Sequence, residues 1–234
     1  KRIASFTEKV VPVMAGLYIL ICIVIIVINH ANILTAFESI FVNAFSTKSI
    51  LGGFLGMGVK KAIRYGVARG LFSNEAGMGS TPHAHAIAKV KNPVEQGNVA
   101  LITVFIDTFI VLTLTALVIL TSNIGDGTLT GITLTQKSFE VALGYSGNIF
   151  IAVALFFFAF STIIGWYFFG EANIKYLFGK KAINLYRVLV MISIFIGSTQ
   201  KVDLVWELAD LFNGLMVIPN LIALLLLTKG AGST

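Results

Sequence analysis

The chain is 234 residues long, 56% hydrophobic and only 12% charged, with a mean hydropathy of +0.90. A soluble domain carries about a quarter charged residues, so this composition excludes a water-soluble globular protein and reads as an integral membrane protein. The formal net charge of +6 is read as cytoplasmic loops rather than a nucleic-acid surface, and a single cysteine, Cys22, excludes an internal disulfide.

Lys1 stands first in place of Met, and no cleavable signal pattern follows, so the sequence reads as a segment of a longer polypeptide. A membrane-spanning helix needs about 20 largely apolar residues, and residues 10–28 form the first. Ile33, Phe37, Ile40, Phe41 and Phe45 recur at helical spacing and predict an amphipathic helix on the membrane surface. Residues 50–90 read as a broken span. Gly52, Gly53, Gly56 and Gly58 permit close packing at its start. Lys60, Lys61 and Arg64 share one arc that faces water or acidic partners, and regular helix fails over residues 73–80. Thr81 as N-cap and Pro82 at the first helical position restart it.

Residues 99–120 form the next span. Residues 121–148 are then an external loop, with a short helix over 134–143 above the entrance. Spans at 149–169, 182–198 and 204–227 complete six crossings; the second of these is short and carries Arg187, which snorkels to the interface. Pro219 predicts a kink in the last span, beyond Asn213 and Gly214.

Counting the broken segment as a crossing sorts the basic residues by side. One side holds Lys1, Arg2, Lys9, Lys89, Lys91, Lys175, Lys180, Lys181, Arg187 and Lys229; the other holds Lys48, Lys137 and Lys201. Cationic residues are retained in the cytoplasm, so both ends of the chain are expected there.

The stretch GLFSNEAGMGS, residues 70–80, places an amide and an acid, Asn74 and Glu75, among glycines. Unwound backbone at membrane depth survives only when buried in protein or lining a hydrated cavity, and half-helix ends attract ions. A kink that merely eases packing needs no acid, so a binding site is the stronger reading. Ser161 and Thr162 either back-bond to the preceding turn or offer oxygens to a small hard cation; Trp166 lies on the Thr162 face and can wall a pocket. Asp107, Glu207 and Asp210 are acids within spans, which suggests function or structural ion pairs. His83 and His85 point about 200° apart on a helix, against joint chelation. No nucleophile–base pairing and no Walker-type sequence appears.

GVARGLFSNEAGMGS, residues 66–80, resembles the signature of the sodium:alanine symporter family, the alanine/glycine:cation symporters, with Thr81-Pro82-His83 as a mild variation just after it. The likeness continues in FIDT at 105–108, FFAFSTIIGWYFFGE at 157–171 and LADLFNGLMVIPNLIALLLL at 208–227, and so covers essentially the whole chain. It implies an all-α polytopic membrane protein of the leucine-transporter-like fold, here the second inverted repeat with one preceding helix, residues 10–28. It also implies that the first broken helix precedes Lys1 in a missing N-terminal repeat.

The resemblance further implies that Thr162 and Trp166 line an amino-acid pocket, that Ser161 and Thr162 ligate sodium, and that Ser73, Asn74, Glu75 and Gly77 lie on the substrate side of the break. Asp107 and Asn213 are further candidates. The expected activity is sodium-coupled uptake of L-alanine, with glycine and D-alanine as alternatives, across a prokaryotic plasma membrane. The partners are then the amino acid, sodium and the lipid bilayer, with no nucleic acid. Rival readings are a channel-like or structural subunit, a half-transporter inactive by itself, and a membrane-embedded enzyme using Glu75, Asp107 and the histidines. The topology separates His83 and His85 from Asp107, which disfavours the enzyme.

Overall fold

The computed structural model describes residues 2–45, 55–124 and 129–231. The predicted opening of the broken span, with Gly52, Gly53 and Lys48, lies outside the described residues. Among those described, the regular structure is entirely helical: α1 (Arg2–Ile28), α2 (Ile33–Phe45), α3 (Leu55–Asn74), α4 (Thr81–His85), α5 (Pro93–Thr121), α6 (Gly131–Leu143), α7 (Tyr145–Phe178), α8 (Ala182–Ser198) and α9 (Val202–Ala231). A 3₁₀ turn, His30–Asn32, joins α1 to α2.

Four of these are long and apolar enough to cross a membrane, namely Lys9–Ile28 of α1, α5, α7 and Val202–Leu227 of α9; α8 is apolar but shorter. Side chains such as Phe195 and Leu227, each at least 70% exposed, lie on faces too apolar for water and suited to hydrocarbon. The chain is a multi-pass membrane protein. α3 stands outside this set because Lys60, Lys61, Arg64 and Arg69 fall within it.

The chain divides into two compact units, Lys1–Tyr65 with Phe105–Thr162, and Gly66–Val104 with Ile163–Thr234. The first unit has a core built on Tyr18, Cys22 and Ile25 of α1, Val118 of α5, Phe139 of α6 and Ile151 of α7. Its polar groups pair locally. Tyr18 Oη and Thr115 Oγ1 lie 2.8 Å apart, and Asn32 Nδ2 donates to the Thr121 carbonyl at 2.9 Å. Such bonds are needed because hydrocarbon offers polar groups no alternative partner.

α5 begins six residues ahead of its predicted span. Asn92 Oδ1 accepts the Val94 N–H at 3.0 Å, an end satisfaction in the polar turn that precedes the apolar run. Within α5, residues Ile106–Leu112 adopt π-helical geometry. The short helix expected over residues 134–143 is present as α6, three residues longer at its start.

Candidate functional site: the interrupted helix and its supports

α3 ends at Asn74, and α4 starts at Thr81. Between them Glu75 takes φ of 55°, Gly77 of 80° and Gly79 of 92°. The Glu75 N–H still reaches the Leu71 carbonyl at 2.9 Å, so Glu75 ends the helix in a left-handed conformation more usual for glycine. Asn74 Oδ1 accepts the Ala76 N–H at 2.9 Å, and the Met78 N–H bonds the Glu75 carbonyl at 3.2 Å. The second bond closes a turn whose third residue, Gly77, has the positive φ that a type II turn requires. Met78 and Ser80 are both 2% exposed, so the far side of the break is buried in protein.

The expected cap at Thr81 is not formed. Ser80 occupies the cap position without a side-chain cap bond, while the Thr81 hydroxyl donates back to the Glu75 carbonyl at 3.1 Å. The turns of residues 75–80 bring that carbonyl within reach and give it a second donor. α4 is also a single turn of five residues, shorter than the half-helix expected.

α9 supports the break from one side. Asn220 Nδ2 donates to the Gly77 carbonyl at 3.0 Å. A Cβ at Gly79 would meet Asn220 Cβ at 3.1 Å and the Met216 carbonyl at 3.4 Å, so the two backbones approach closely. Earlier in α3, Arg69 pairs with Asp210 at 2.7 Å and lies 3.9 Å from the Trp206 ring centroid; Phe72 meets the same ring edge-on at 5.3 Å. Of the readings open for Asp210, the ion pair is the one realised.

The two histidines have separate partners. His83 Nδ1 lies 3.1 Å from the Ser80 carbonyl, and Asn173 Nδ2 lies 2.9 Å from His83 Nε2. The same Asn173 nitrogen donates to the Phe169 carbonyl at 3.0 Å, which makes Nε2 the acceptor and places the ring proton on Nδ1. His85 Nδ1 lies 2.6 Å from Gln96 Nε2. Beside the break is a cavity of about 850 Å³ whose polar lining includes Asn74, Thr81, His85, Gln96 and Asn220. The remaining wall is mostly apolar, with Leu101 and Leu224 among its residues.

Of the predicted site residues, Asn74 and Gly77 line this cavity; Ser73 and Glu75 adjoin it in sequence but are not among its lining residues. Trp166 packs edge-on against Phe169 at 6.1 Å, and Phe169 meets the His83 ring at 5.6 Å, so an aromatic row runs from α7 to α4. Asn213 lies half-buried on α9. Ser161, Thr162 and Asp107 belong to the first unit. Ser161 Oγ donates to the Phe158 carbonyl at 2.9 Å, the back-bonding arrangement, which leaves its lone pairs as acceptors. Asp107 is half-buried in the π-helical segment, a geometry frequent at functional sites.

Several supports had escaped sequence reading. Asn220 stands beside Pro219, and an amide in an apolar run is itself a signal of a polar partner. Arg69 and Asp210 are 141 residues apart, and nothing local pairs them. Arg187 also has a partner where snorkelling was expected: its Nε donates to Tyr167 Oη at 2.9 Å, its Nη2 lies 3.5 Å from Glu171, and Tyr167 donates to Glu171.

The sequence profile described as the sodium:alanine symporter family matches residues 1–233. The chain is 44% identical, over 97% of its length and 50% of the relative's, to a protein of Methanococcus maripaludis named sodium/alanine symporter AgcS. It is 41% identical to the amino-acid carrier protein AlsT of Bacillus subtilis, over 99% of this chain and 49% of that one. It is 44% identical to the probable sodium/glutamine symporter GlnT of the same organism, over 98% of this chain and 48% of that one. The chain thus spans about half the length of the curated relatives it matches. With the signature residues forming a supported interruption between two helices, and the likeness running from end to end, the chain belongs to the sodium:alanine symporter family.

Proposed function

We propose that this chain forms one half of a sodium-coupled secondary transporter that takes up a small neutral amino acid, L-alanine foremost, by alternating access. The observation that carries this reading is the interruption at residues 75–80, in a chain of the symporter family whose other long helices are continuous among the described residues. Interrupted helices expose backbone donors and acceptors at their ends, which suits a zwitterionic substrate and a small cation. The activity is proposed for a protein of the relatives' length. Within it this chain supplies the second inverted repeat and one preceding helix of a leucine-transporter-like fold, with six crossings and both ends in the cytoplasm of a prokaryote.

Thr162, Trp166, Ser73, Asn74, Glu75 and Gly77 are the residues assigned to amino-acid binding. Ser161 and Thr162 give hydroxyl oxygens to sodium, the co-transported substrate; Ser161 retains its lone pairs for this while its proton is held by Phe158. Asp107 and Asn213 lie within spans and are candidates for the same pathway. Coupling follows from linkage: sodium raises affinity for the amino acid, and the amino acid raises affinity for sodium by the same factor.

Proteoliposomes containing the protein at its relatives' length test the reading. An inward sodium gradient drives accumulation of labelled L-alanine, and replacement of sodium by choline abolishes it. Uptake that persists in choline defeats sodium coupling, and absence of uptake for every small neutral amino acid defeats the transporter reading.

A further inference from the structure

The unwound backbone between α3 and α4 is fixed at one peptide plane from both sides. A trans peptide is planar, so the Gly77 carbonyl and the Met78 N–H point in opposite directions. The N–H end bonds the Glu75 carbonyl at 3.2 Å, within the turn. The carbonyl end accepts Asn220 Nδ2 at 3.0 Å, from a residue 143 positions away. Nothing intrinsic to Gly77 would hold this orientation: it lacks a Cβ, and the space about it is open.

α9 is suited to this role. Met216 and Asn220 are one turn apart, and both lie against the position where Gly79 would carry a side chain, so one face of α9 runs along the break. Asp210, nearly three turns earlier, binds Arg69. Two polar ties to a single helix therefore hold the interruption and the helix that leads into it. Pro219, directly before Asn220, has no N–H to give the Leu215 carbonyl, so α9 lacks one of its own bonds at this level.

We propose that Asn220 is a positioning residue of the interrupted helix: by holding the Gly77–Met78 peptide plane, it sets which backbone groups of residues 73–77 face the transported ligand. Its transport readout rests on the symporter reading; its structural readout does not. Asn220→Asp keeps the shape and removes the donor, whereas Asn220→Gln keeps the donor at a longer reach.

Two measurements on the whole protein in lipid nanodiscs or proteoliposomes decide the matter. Hydrogen exchange across residues 75–80 speeds up about tenfold in N220D, the scale of one lost hydrogen bond, while exchange in α1 is unchanged and N220Q recovers part of the protection. The KM for labelled alanine and the half-saturating sodium concentration rise by about the same factor in N220D, with Vmax per protein within about twofold of wild type. Should N220D fail to fold, N220S, which shortens the side chain without adding charge, is read in its place. Unchanged exchange at residues 75–80 overturns the proposal. Faster exchange throughout the chain with an unaltered KM also overturns it, since that is the mark of a merely structural role. If the wild type transports nothing, the symporter reading fails and the exchange result still decides for Asn220.

Discussion

The guanidinium of Arg69 meets both carboxylate oxygens of Asp210, at 2.7 and 3.2 Å, and lies 3.9 Å from the ring centroid of Trp206. Both charged side chains are 31% exposed, between the surface and the interior. Removing one partner strands the other charge, so Arg69→Gln or Asp210→Asn costs about 1–3 kcal/mol, between the values for exposed and buried pairs. The exchanged pair R69D/D210R recovers part of that loss in thermal unfolding of the purified protein. Additive single and double variants would show that the pair is not coupled.

Gly79 and Gly77 both have positive φ, but only at Gly79 would an added Cβ meet α9. Gly77→Ala meets strain without collision and costs about 1–2 kcal/mol. Gly79→Ala adds a clash with Asn220 to the same strain and costs about 2–4 kcal/mol. Melting temperatures of the two variants side by side give the order. Equal losses would mean that α9 does not crowd the break.

In α7, a Cβ at Gly170 would overlap the Tyr186 hydroxyl. Gly170→Ala therefore lowers stability by about 1–3 kcal/mol. Tyr186→Phe removes the nearest obstructing atom, leaving the ring carbon 2.7 Å from the added Cβ, at the expense of a long hydrogen bond to the Tyr167 carbonyl. The double variant is accordingly more stable than G170A alone, as a thermal double-mutant cycle measures.

Trp166 packs edge-on against Phe169, so its indole is braced on one side. If the indole limits the pocket, Trp166→Ala admits larger neutral side chains. Competition assays against labelled alanine then show leucine and glutamine inhibiting the variant about tenfold more strongly than the wild type, the discrimination that a few methylenes give. Identical inhibition profiles would remove Trp166 from the pocket wall.

The Ser161 hydroxyl donates to the Phe158 carbonyl at 2.9 Å and keeps its lone pairs as acceptors. Ser161→Ala deletes an oxygen whose proton is already committed to Phe158, so the loss falls on its acceptor role. Half-saturating sodium rises about tenfold in S161A, while the KM for alanine at saturating sodium stays near wild type. An unchanged half-saturating sodium concentration in S161A would identify the hydroxyl as a back-bonding group alone.

The long apolar runs made the spanning helices legible, because their signal is summed over about 20 residues; α8 spans the predicted residues 182–198. The interruption was legible too, because glycine beside an acid is out of place in hydrocarbon. Sequence placed its start at residue 73, yet α3 runs on to Asn74, since Ser73 and Asn74 are tolerated in a last helical turn before a left-handed residue. Long-range polar ties were hidden, because Asn220, Arg69 and Asn173 advertise a need for partners but not their identity. The histidines show the same limit: geometry alone argued them apart, but Asn173 and Gln96 could not be named from the sequence.

The π-helical run at Ile106–Leu112 has a consequence for how α5 is numbered in space. A π turn takes up more residues than an α turn, so the side chains before and after it follow separate registers along one continuous rod. The residues from Thr113 onward, including Thr115 and Val118, are indexed to the first unit's core. Removing one residue between 106 and 112 would turn Thr115 and Val118 by about 100° away from that core without breaking the helix. The length of this seven-residue stretch is thus a phase setting, and an insertion or deletion there acts on residues several turns away.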